Sequence, residues 1–512
     1  MKLDAFERLA TEGEVVPLVR RIALPGGPGA ARALPRALQA RGSAFVLESA
    51  RPARDADSRD DGWEAGQVTL LGVRPRGVWR AWGNRVEVTE QGQATVTTHE
   101  ERPLDSLFKR VGRRPTLAGV PRFSGGLVGY LGWGAARWFE PKVPARLGAD
   151  PSFPDAEFLL VDDLAAIDWR AGTAQLIANV EPARFADVRS AFVAATLRLD
   201  ALESTLALGE LGSEAASDPV TGLATGLGEA TDAWGGAGFE AAVETVLGHL
   251  RAGDCMQAVL SRRLTAPFGG DPLDLYERLR RASPVPYHFL LRFEEGADER
   301  RAVIGASPEL LVRVREGEVT VRPIAGTRPR GATPEEDDRR EVELRGDPKE
   351  LAEHVMLVDL GRNDVGRVAT PGSVRVDERE KLLRFSHVMH LISQVAGTLR
   401  DDLTPLDALA AAFPAGTVSG APKLRALEII DALEPVPRGP YGGAVGTVCY
   451  DGSLVMAIHL RSLALAGQEL RLQAGAGIVS DSQPAQELAE TEAKLAGVRA
   501  ALGLATGRWR RW

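Results

Sequence analysis

Cysteine is nearly absent from this chain of 512 residues, which contains only two cysteines and seven histidines. Cys255 and Cys449 cannot form a disulfide framework, so the composition favours a reducing, cytoplasmic environment. Because no cysteine and histidine cluster occurs, nothing in the sequence indicates a zinc site. Any metal site should therefore use oxygen ligands, which suit a hard cation.

Long apolar runs are also missing, so we expect no membrane span, and the mixed, charged N-terminus predicts no signal peptide. The net charge of −8 excludes a general attraction to nucleic acid or to anionic membranes. We find neither a phosphate-binding loop nor a dinucleotide fingerprint. An anionic ligand would therefore be held by local basic residues or by a metal.

The remaining composition is that of a globular protein, with 44% hydrophobic and 26% charged residues. Alternating strand patterns dominate residues 15 to about 200, and strands and amphipathic helices follow from residue 238. The sequence between them is rich in Gly, Ala, Ser and Thr, which favours a linker, although short surface helices would also fit. We predict an α/β chain with long antiparallel strands, divided into 1–204, a linker 205–237, 238–505 and a tail 506–512.

The sequence ELAE occurs twice, at 350–353 and at 487–490. On a helix, residues three apart lie on one face, so each copy directs two carboxylates the same way. A capping box, with Asp347 as N-cap and Glu350 at the third helical position, explains Glu350 without any function. Surface glutamates are common on helices, so the argument for a site rests on the two pairs together. Two carboxylates from separate helices, completed by water, are a usual way to hold Mg²⁺.

Six blocks in order then show a resemblance: PIAGTRPRG, ELAEHVMLVDLGRND, VMHLISQV, PAGTVSGAPKLRALEIID, YGGAVG and AGAGIVSDSQPAQELAETEAK. In these blocks the chain closely resembles the chorismate-utilising enzymes, and among them the branch that forms anthranilate. The match covers roughly 238–502 and extends more weakly to VLES and GGLVGYLGW in the first region. The resemblance implies a fold of large antiparallel sheets packed as a sandwich, with helices outside.

The resemblance also implies a site for chorismate and Mg²⁺. It makes Glu353 and Glu490 the direct metal ligands, with Glu350 and Glu487 as a supporting pair acting through bound water. The residues it implies for substrate binding are Gly326, Thr327, Tyr441, Arg461, Ala476, Gly477 and Lys494. The residues it implies for catalysis are His390, Glu309, Thr417 and Gln257.

The reaction implied is the conversion of chorismate and ammonia to anthranilate and pyruvate. His390 is the candidate for proton transfer because an imidazole usually titrates near neutral pH. Glu309 is the candidate acid for the departing hydroxyl. Relatives that form aminodeoxychorismate carry a lysine in place of Ala325, and relatives that add water carry one near Gln257. Since this chain has neither lysine, ammonia is the expected nucleophile.

Two partners follow from the same resemblance. Neither cysteine has the sequence context of a glutaminase nucleophile, so a separate glutaminase subunit, in a hetero-oligomer, is expected to supply ammonia. L-Tryptophan is expected to inhibit at a site that VLES of the first region helps to form. The residues implied for that site are Glu48, Ser49, Pro286, Tyr287, His288 and Phe289. His288 and Thr447 depart from the family pattern there.

Two kinds of alternative stay open. For VLES, the alternative is a strand end without regulatory function. For the chain, the alternatives are an aminodeoxychorismate-forming enzyme and a catalytically silent amino-acid sensor.

Overall fold

The computed structural model of the protein describes most residues of the chain. They are 2–11, 13–24, 38, 42–49, 63, 68–90, 93–114, 117–144, 150–206, 227–283, 285–294, 300–384 and 388–503. The predicted tail lies outside them, as does most of the predicted linker. The helix that precedes the linker ends at Leu206, and the helix that follows it begins at Gly236.

The strands occur in both halves of the chain. In chain order they are β1 (Val16–Ala23), β2 (Ala44–Glu48), β3 (Val68–Val73), β4 (Gly77–Trp82), β5 (Arg85–Glu90), β6 (Val96–His99), β7 (Gly126–Leu131), β8 (Ala156–Val161), β9 (Asp163–Asp168), β10 (Thr173–Val180), β11 (Thr231–Asp232), β12 (Gln257–Pro267), β13 (Tyr287–Glu294), β14 (Arg300–Ser307), β15 (Leu310–Arg315), β16 (Glu318–Val321), β17 (Ile324–Pro329), β18 (Arg375–Arg384), β19 (Val388–Thr398), β20 (Gly420–Ala421), β21 (Ala444–Cys449), β22 (Leu454–Ile458), β23 (Ser462–Ala466) and β24 (Glu469–Ile478).

The two longest helices have 19 residues each and lie in different halves of the chain. The helices are α1 (Leu3–Leu9), α2 (Pro103–Phe108), α3 (Ala136–Phe139), α4 (Val188–Leu206), α5 (Gly236–Ala252), α6 (Pro272–Ala282), α7 (Pro334–Gly346), α8 (Pro348–Gly366), α9 (Pro405–Ala412), α10 (Lys423–Leu433) and α11 (Pro484–Ala501). A short 3-10 helix, Gly416–Val418, precedes β20.

The strands form two sheets of 12 strands each, and the strand pairs described are antiparallel. The first sheet has the order β1-β10-β9-β3-β2-β13-β14-β23-β24-β12-β11, with β20 beside β12. The second has the order β17-β19-β16-β15-β22-β21-β7-β8-β4-β5-β6, with β18 beside β19. The predicted fold class, an α/β chain with large antiparallel sheets, is confirmed.

One hydrophobic layer contains side chains from both sheets. Phe45 and Phe289 of the first sheet and Tyr130 and Val445 of the second belong to it, and each is buried. The opposite face of the first sheet packs against α4, α6 and α11, where strand alternation places another apolar set. This arrangement is the expected sandwich with helices outside.

Both sheets take strands from both sides of the predicted linker. In the first sheet, β2 pairs with β13, where Glu48 faces His288. In the second, β7 pairs with β21, where Tyr130 faces Val445. The ranges 1–204 and 238–505 are thus hydrogen-bonded to each other along two sheets, and the functional division between them stays a prediction.

A buried ion pair connects the two sheets. Glu157 of β8 is fully buried and accepts hydrogen bonds from Arg301 of β14, at 2.9 and 3.1 Å. Arg80 of β4 lies 3.6 Å from the same carboxylate, and the Tyr130 hydroxyl donates to it at 3.3 Å. Because the Glu157 carboxylate has several partners, these interactions offset the free-energy cost of burying its charge.

We expect Glu157→Gln to lower the free energy of unfolding by about 3–5 kcal/mol, because the buried Arg301 and Arg80 would lose the negative charge that both face. Chemical denaturation followed by circular dichroism measures this. The exposed pair Asp359–Arg362 is the control, and Asp359→Asn should change stability by at most about 0.5 kcal/mol. Equal effects of the two substitutions would contradict this account of the inter-sheet ion pair.

Among the described residues, no helix combines the length and the apolar character that crossing a membrane requires. Cys255 and Cys449 are both buried free thiols, as the cysteine count predicts.

Candidate active site

The first ELAE motif lies in the first turns of α8. The Asp347 side chain caps this helix as predicted, accepting from the backbone N–H groups of Lys349 and Glu350. The second half of the predicted capping box is not formed, because the Asp347 N–H donates to the Leu344 carbonyl instead of to Glu350. Arg328 of β17 donates to Asp347 and, at 2.7 Å, to Glu350. The helix start is therefore fixed against β17, and Glu353 follows one turn later.

The second ELAE motif begins α11, directly after β24. Glu490 pairs with Lys494 one turn later at 2.7 Å, and the same ammonium donates to the carbonyl of Gly475 at 2.9 Å. Glu487 lies in the first turn of the helix, where the helix dipole favours a carboxylate.

The two motifs meet in space. Lys349 at the start of α8 pairs with Asp481 just before α11, at 2.9 Å. Burial, together with the charges of Glu350 and Glu490, raises the pKa of Glu353. Burial, together with the charge of Glu490, raises the pKa of Glu487 as well. The charge of Glu490 therefore acts both on Glu353 of the first motif and on Glu487 of its own motif.

These carboxylates suit a hard cation. The Oε2 atom of Glu487 is buried and has no hydrogen-bond partner, so a cation beside it would satisfy a lone pair that is otherwise unmatched. A cation would also relieve the repulsion that raises the pKa of Glu353. Within the described part of the chain, no three His, Cys, Asp or Glu side chains form a ready-made metal cage. Mg²⁺ does not need such a cage, because it commonly binds one or two carboxylates and retains several waters.

Glu309 and Thr417 form a buried pair. The Thr417 hydroxyl donates to Oε1 of Glu309 at 2.9 Å. Burial raises the pKa of Glu309 to about 7, while this hydrogen bond and the charges of Arg461 and Lys494 act in the opposite direction. A carboxyl group with this pKa can donate a proton near neutral pH.

Arg461 is a charged neighbour of both the proposed acid and the predicted imidazole. Its charge acts on Glu309 and also on His390. Its backbone has φ of 48°, in the left-handed region, which residues with a Cβ seldom adopt. Such strain persists where surrounding structure imposes it, and it is frequent at ligand sites.

The predicted titration of His390 is wrong. Burial and then the charge of Arg461 lower the pKa of His390 to about 4, so the imidazole is neutral near pH 7. Its Nδ1 lies 3.2 Å from the carbonyl oxygen of Gly326. A carbonyl only accepts, so Nδ1 carries the proton and Nε2 carries the lone pair. The residue is suited to accept a proton and not to donate one.

Gly326 connects the imidazole to the acidic motifs. Its φ is 72°, which favours glycine, and it lies at an irregularity in the pairing of β17 with β19. A Cβ at this position would meet Leu344 at 3.0 Å and Glu350 at 3.5 Å. The neighbouring Thr327 is in β17, and its side chain lies outside the described set.

Strands β12 and β24 form one side of the candidate site. Val259 pairs with Gly477, and a Cβ on Gly477 would lie 2.7 Å from Nε2 of Gln257. Gly477 therefore leaves room for the Gln257 amide. The side chain of Ala476 points the other way into the hydrophobic core, so only its backbone is suited to the predicted contact.

Tyr441 is held against strand β24. Its hydroxyl receives a hydrogen bond from the backbone N–H of Gly475, and burial raises its pKa well above its usual value. The phenol is therefore neutral and is oriented by β24, close to the Lys494 contact on the Gly475 carbonyl.

The six residues predicted to bind tryptophan do not share one face of the sheet. Glu48 and His288 point toward α6, where the Glu48 carboxylate accepts from Thr69 and Tyr276 at 2.6 Å each and pairs with Arg280 at 3.2 Å. Tyr287 and Phe289 point into the layer between the sheets. The Glu48 carboxylate thus already has three side-chain partners, and its predicted contact with the ammonium group of tryptophan stays a prediction. Ser49 is buried directly after β2, and Pro286 precedes β13.

Sequence reasoning missed two buried residues. The Trp63 ring lies edge-on to Tyr287 at 5.0 Å, and its indole N–H donates to the His288 carbonyl at 2.8 Å. Arg438 is fully buried behind Tyr441. Arg438 begins the run RGPY, whose tyrosine is the first residue of the YGGAVG block, and this closeness was the available signal for Arg438. No pattern marks Trp63.

Comparisons with known proteins show the family to which this chain belongs. A family model described as chorismate binding enzyme matches residues 61–500. The chain is 42% identical over 459 residues to anthranilate synthase component 1 of Pseudomonas putida, covering 88% of this chain and 90% of that relative. It is 47% identical over 394 residues to anthranilate synthase component 1 of Streptomyces coelicolor, covering 76% and 75%. The crystal structure of anthranilate synthase component I from Streptococcus pneumoniae TIGR4 matches with a TM-score of 0.70 at 30% identity, covering 92% of this chain and 99% of that one.

Proposed function

Because the chain belongs to the chorismate binding enzyme family, we propose that it converts chorismate and ammonia to anthranilate and pyruvate, as component 1 of an anthranilate synthase. The observation that carries the proposal is the convergence of both ELAE helices with Arg461, Glu309 and His390 in a chain so similar to such components. Ala325 and Gln257 support ammonia as nucleophile, because neither side chain supplies an amine at the ring.

Mg²⁺ is the cation we propose for the acidic motifs, with Glu353 and Glu490 as direct ligands and Glu350 and Glu487 in support. When bound, it would neutralise a substrate carboxylate. In this arrangement Arg328 and Lys494 already neutralise Glu350 and Glu490, so these two basic residues limit the repulsion among the four glutamates.

The other residues bind the substrate and move protons. Arg461, the Tyr441 hydroxyl and the backbone of Gly477 hold the substrate carboxylates. Glu309 donates its proton to the C4 hydroxyl, which leaves as water while ammonia adds at C2. His390 accepts the ring proton that is lost when pyruvate leaves and the ring becomes aromatic. The products are anthranilate, pyruvate and water, so the atoms balance.

We propose that a glutaminase subunit supplies the ammonia, since the relatives are named as component 1. The test of the activity itself needs only the purified chain with chorismate, MgCl₂ and an ammonium salt. Anthranilate fluorescence is the expected result, and EDTA should abolish it. Accumulation of aminodeoxychorismate, or no turnover at all, would contradict the proposal and favour one of the two alternatives.

For regulation, we propose that L-tryptophan binds on the inter-sheet side, beside Tyr287, and not at Glu48. Tyr287→Leu should weaken inhibition by L-tryptophan by about tenfold, the loss expected for one well-packed ring. Glu48→Gln should leave the inhibition constant nearly unchanged but lower stability by about 1–3 kcal/mol, because buried donors lose an acceptor. Inhibition constants and chemical denaturation of both variants check this. Loss of inhibition in Glu48→Gln without loss of stability would contradict the placement.

A further inference from the structure

Arg438 is a fully buried arginine that no step above uses. Its guanidinium donates to Oε1 and Oε2 of Glu434 at 2.7 and 2.9 Å. It also lies over the ring of Trp133 at 4.0 Å from the ring centre. A charge buried this deeply is retained only where it is paired and hydrogen-bonded, and here it is both.

The same guanidinium reaches two walls of the proposed site. It donates to the carbonyl of Val418 at 2.7 Å, next to Thr417, which holds Glu309. It donates to the carbonyl of Val259 at 2.6 Å, and Val259 pairs with Gly477. The Arg438 guanidinium therefore fixes the backbone next to Thr417, which binds the proposed acid. It also fixes the backbone of β12 that pairs with Gly477, a proposed substrate-binding residue.

Glu434 extends the network to a third segment. Its Oε1 accepts from the backbone N–H and the hydroxyl of Ser261, each at 2.8 Å. The hydroxyl of Ser261 in turn accepts from Nε2 of Gln473 on β24, at 2.7 Å. Gln473 lies two residues before Gly475, which binds both Tyr441 and Lys494.

We propose that Arg438, held by Glu434, is a positioning residue for catalysis: it sets the Thr417 hydroxyl against Glu309 and β12 against the substrate-binding strand β24. The inference rests on the proposed function and adds to it a residue that touches no reacting atom. Lysine cannot replace it, because an ammonium lacks the planar fork that reaches two carbonyls and stacks on an indole.

The test compares Arg438→Lys with Arg301→Lys. Arg301 is a matched control, since it also pairs with a buried glutamate, Glu157, but belongs to the inter-sheet ion pair. Both variants should unfold at lower denaturant concentration than the wild type. Only Arg438→Lys should lower kcat/KM for chorismate, by about 10- to 100-fold, as misplacement of a catalytic group does.

The pH profile of kcat/KM separates positioning from loss of stability. Glu309 is faced by Thr417, Arg461 and Lys494, and the Thr417 hydrogen bond lowers its pKa. Because Glu309 acts as an acid only while protonated, kcat/KM should fall as pH rises through the pKa of Glu309, and this fall is the falling limb of the profile. If Arg438 positions Thr417, Arg438→Lys should shift the falling limb to higher pH, as Thr417→Val should. Arg301→Lys should leave the limb at its wild-type position.

The outcomes separate this inference from the function. An inactive wild type would overturn the proposed function itself. With an active wild type, a shifted limb or a selective loss of kcat/KM in Arg438→Lys supports the positioning role. Wild-type kcat/KM and an unshifted limb in Arg438→Lys, with a stability loss equal to that of Arg301→Lys, would show that Arg438 is only structural and would overturn the inference.

Discussion

Glu309→Gln is expected to lower kcat for anthranilate formation by about 10²–10⁴-fold, the usual contribution of a general acid. Glutamine keeps the size of the side chain and can still accept from Thr417. It has no proton to give to the departing hydroxyl, so the loss should appear in kcat with little change in KM.

The pH dependence follows from the same residue. Because burial raises the pKa of Glu309 from 4.5 to about 7, the carboxyl keeps its proton below about pH 7 and loses it above. An acid acts only while protonated, so kcat/KM should fall as pH rises through about 7. His390 has a pKa of about 4 and acts as a base only when neutral, so kcat/KM should rise through about pH 4.

Steady-state kinetics between about pH 3 and 9 with both the wild type and Glu309→Gln measure these effects. The variant should lose the falling limb near pH 7. Thr417→Val is the matched comparison, because it keeps the acid and removes only its hydrogen bond, so its kcat should fall far less. A variant Glu309→Gln with wild-type kcat would exclude the acid role.

The second large effect is expected at the ELAE motifs. Glu353→Gln or Glu490→Gln should each lower kcat/KM by about 10³-fold, since a bound cation contributes several kcal/mol of charge stabilisation. Glu350→Gln and Glu487→Gln should cost about 10- to 100-fold, as expected for residues that support metal ligands. The predicted order therefore separates direct from supporting carboxylates.

Kinetics at several Mg²⁺ concentrations check this order. Excess Mg²⁺ should partly restore the supporting variants and not the direct ones. Asp359→Asn on α8 is the control, because Asp359 is exposed and pairs with the exposed Arg362; it should leave kcat/KM unchanged. Equal losses in all four glutamate variants would contradict the division of roles.

Local sequence signals predicted the elements that carry the site. The start of α8 follows from Asp347, Pro348 and Glu350 alone, because a cap and a first-turn proline act within one turn. The meeting of the two ELAE motifs was also predictable as a hypothesis, since four like charges on two helices need a common counter-ion. The structure adds the contact between Lys349 and Asp481 that joins the two helix starts.

Long-range pairing was not predictable from these patterns. Strand alternation fixes which residues of β2 share a face, but not that Glu48 faces α6 and meets Tyr276 and Arg280. The neutral state of His390 depends on complete burial and on the charge of Arg461, which is 71 positions away in the sequence. Arg438 was missed for the same reason, because its partners Val259 and Val418 come from distant segments.

The most direct test of the central claim is equilibrium binding of Mn²⁺, as a spectroscopic substitute for Mg²⁺, measured by electron paramagnetic resonance with chorismate present. The account predicts one bound ion per wild-type chain and a large loss of affinity in both Glu353→Gln and Glu490→Gln, with Asp359→Asn unchanged. Wild-type affinity in the two glutamate variants would show that the two helices do not share a cation and would contradict the account.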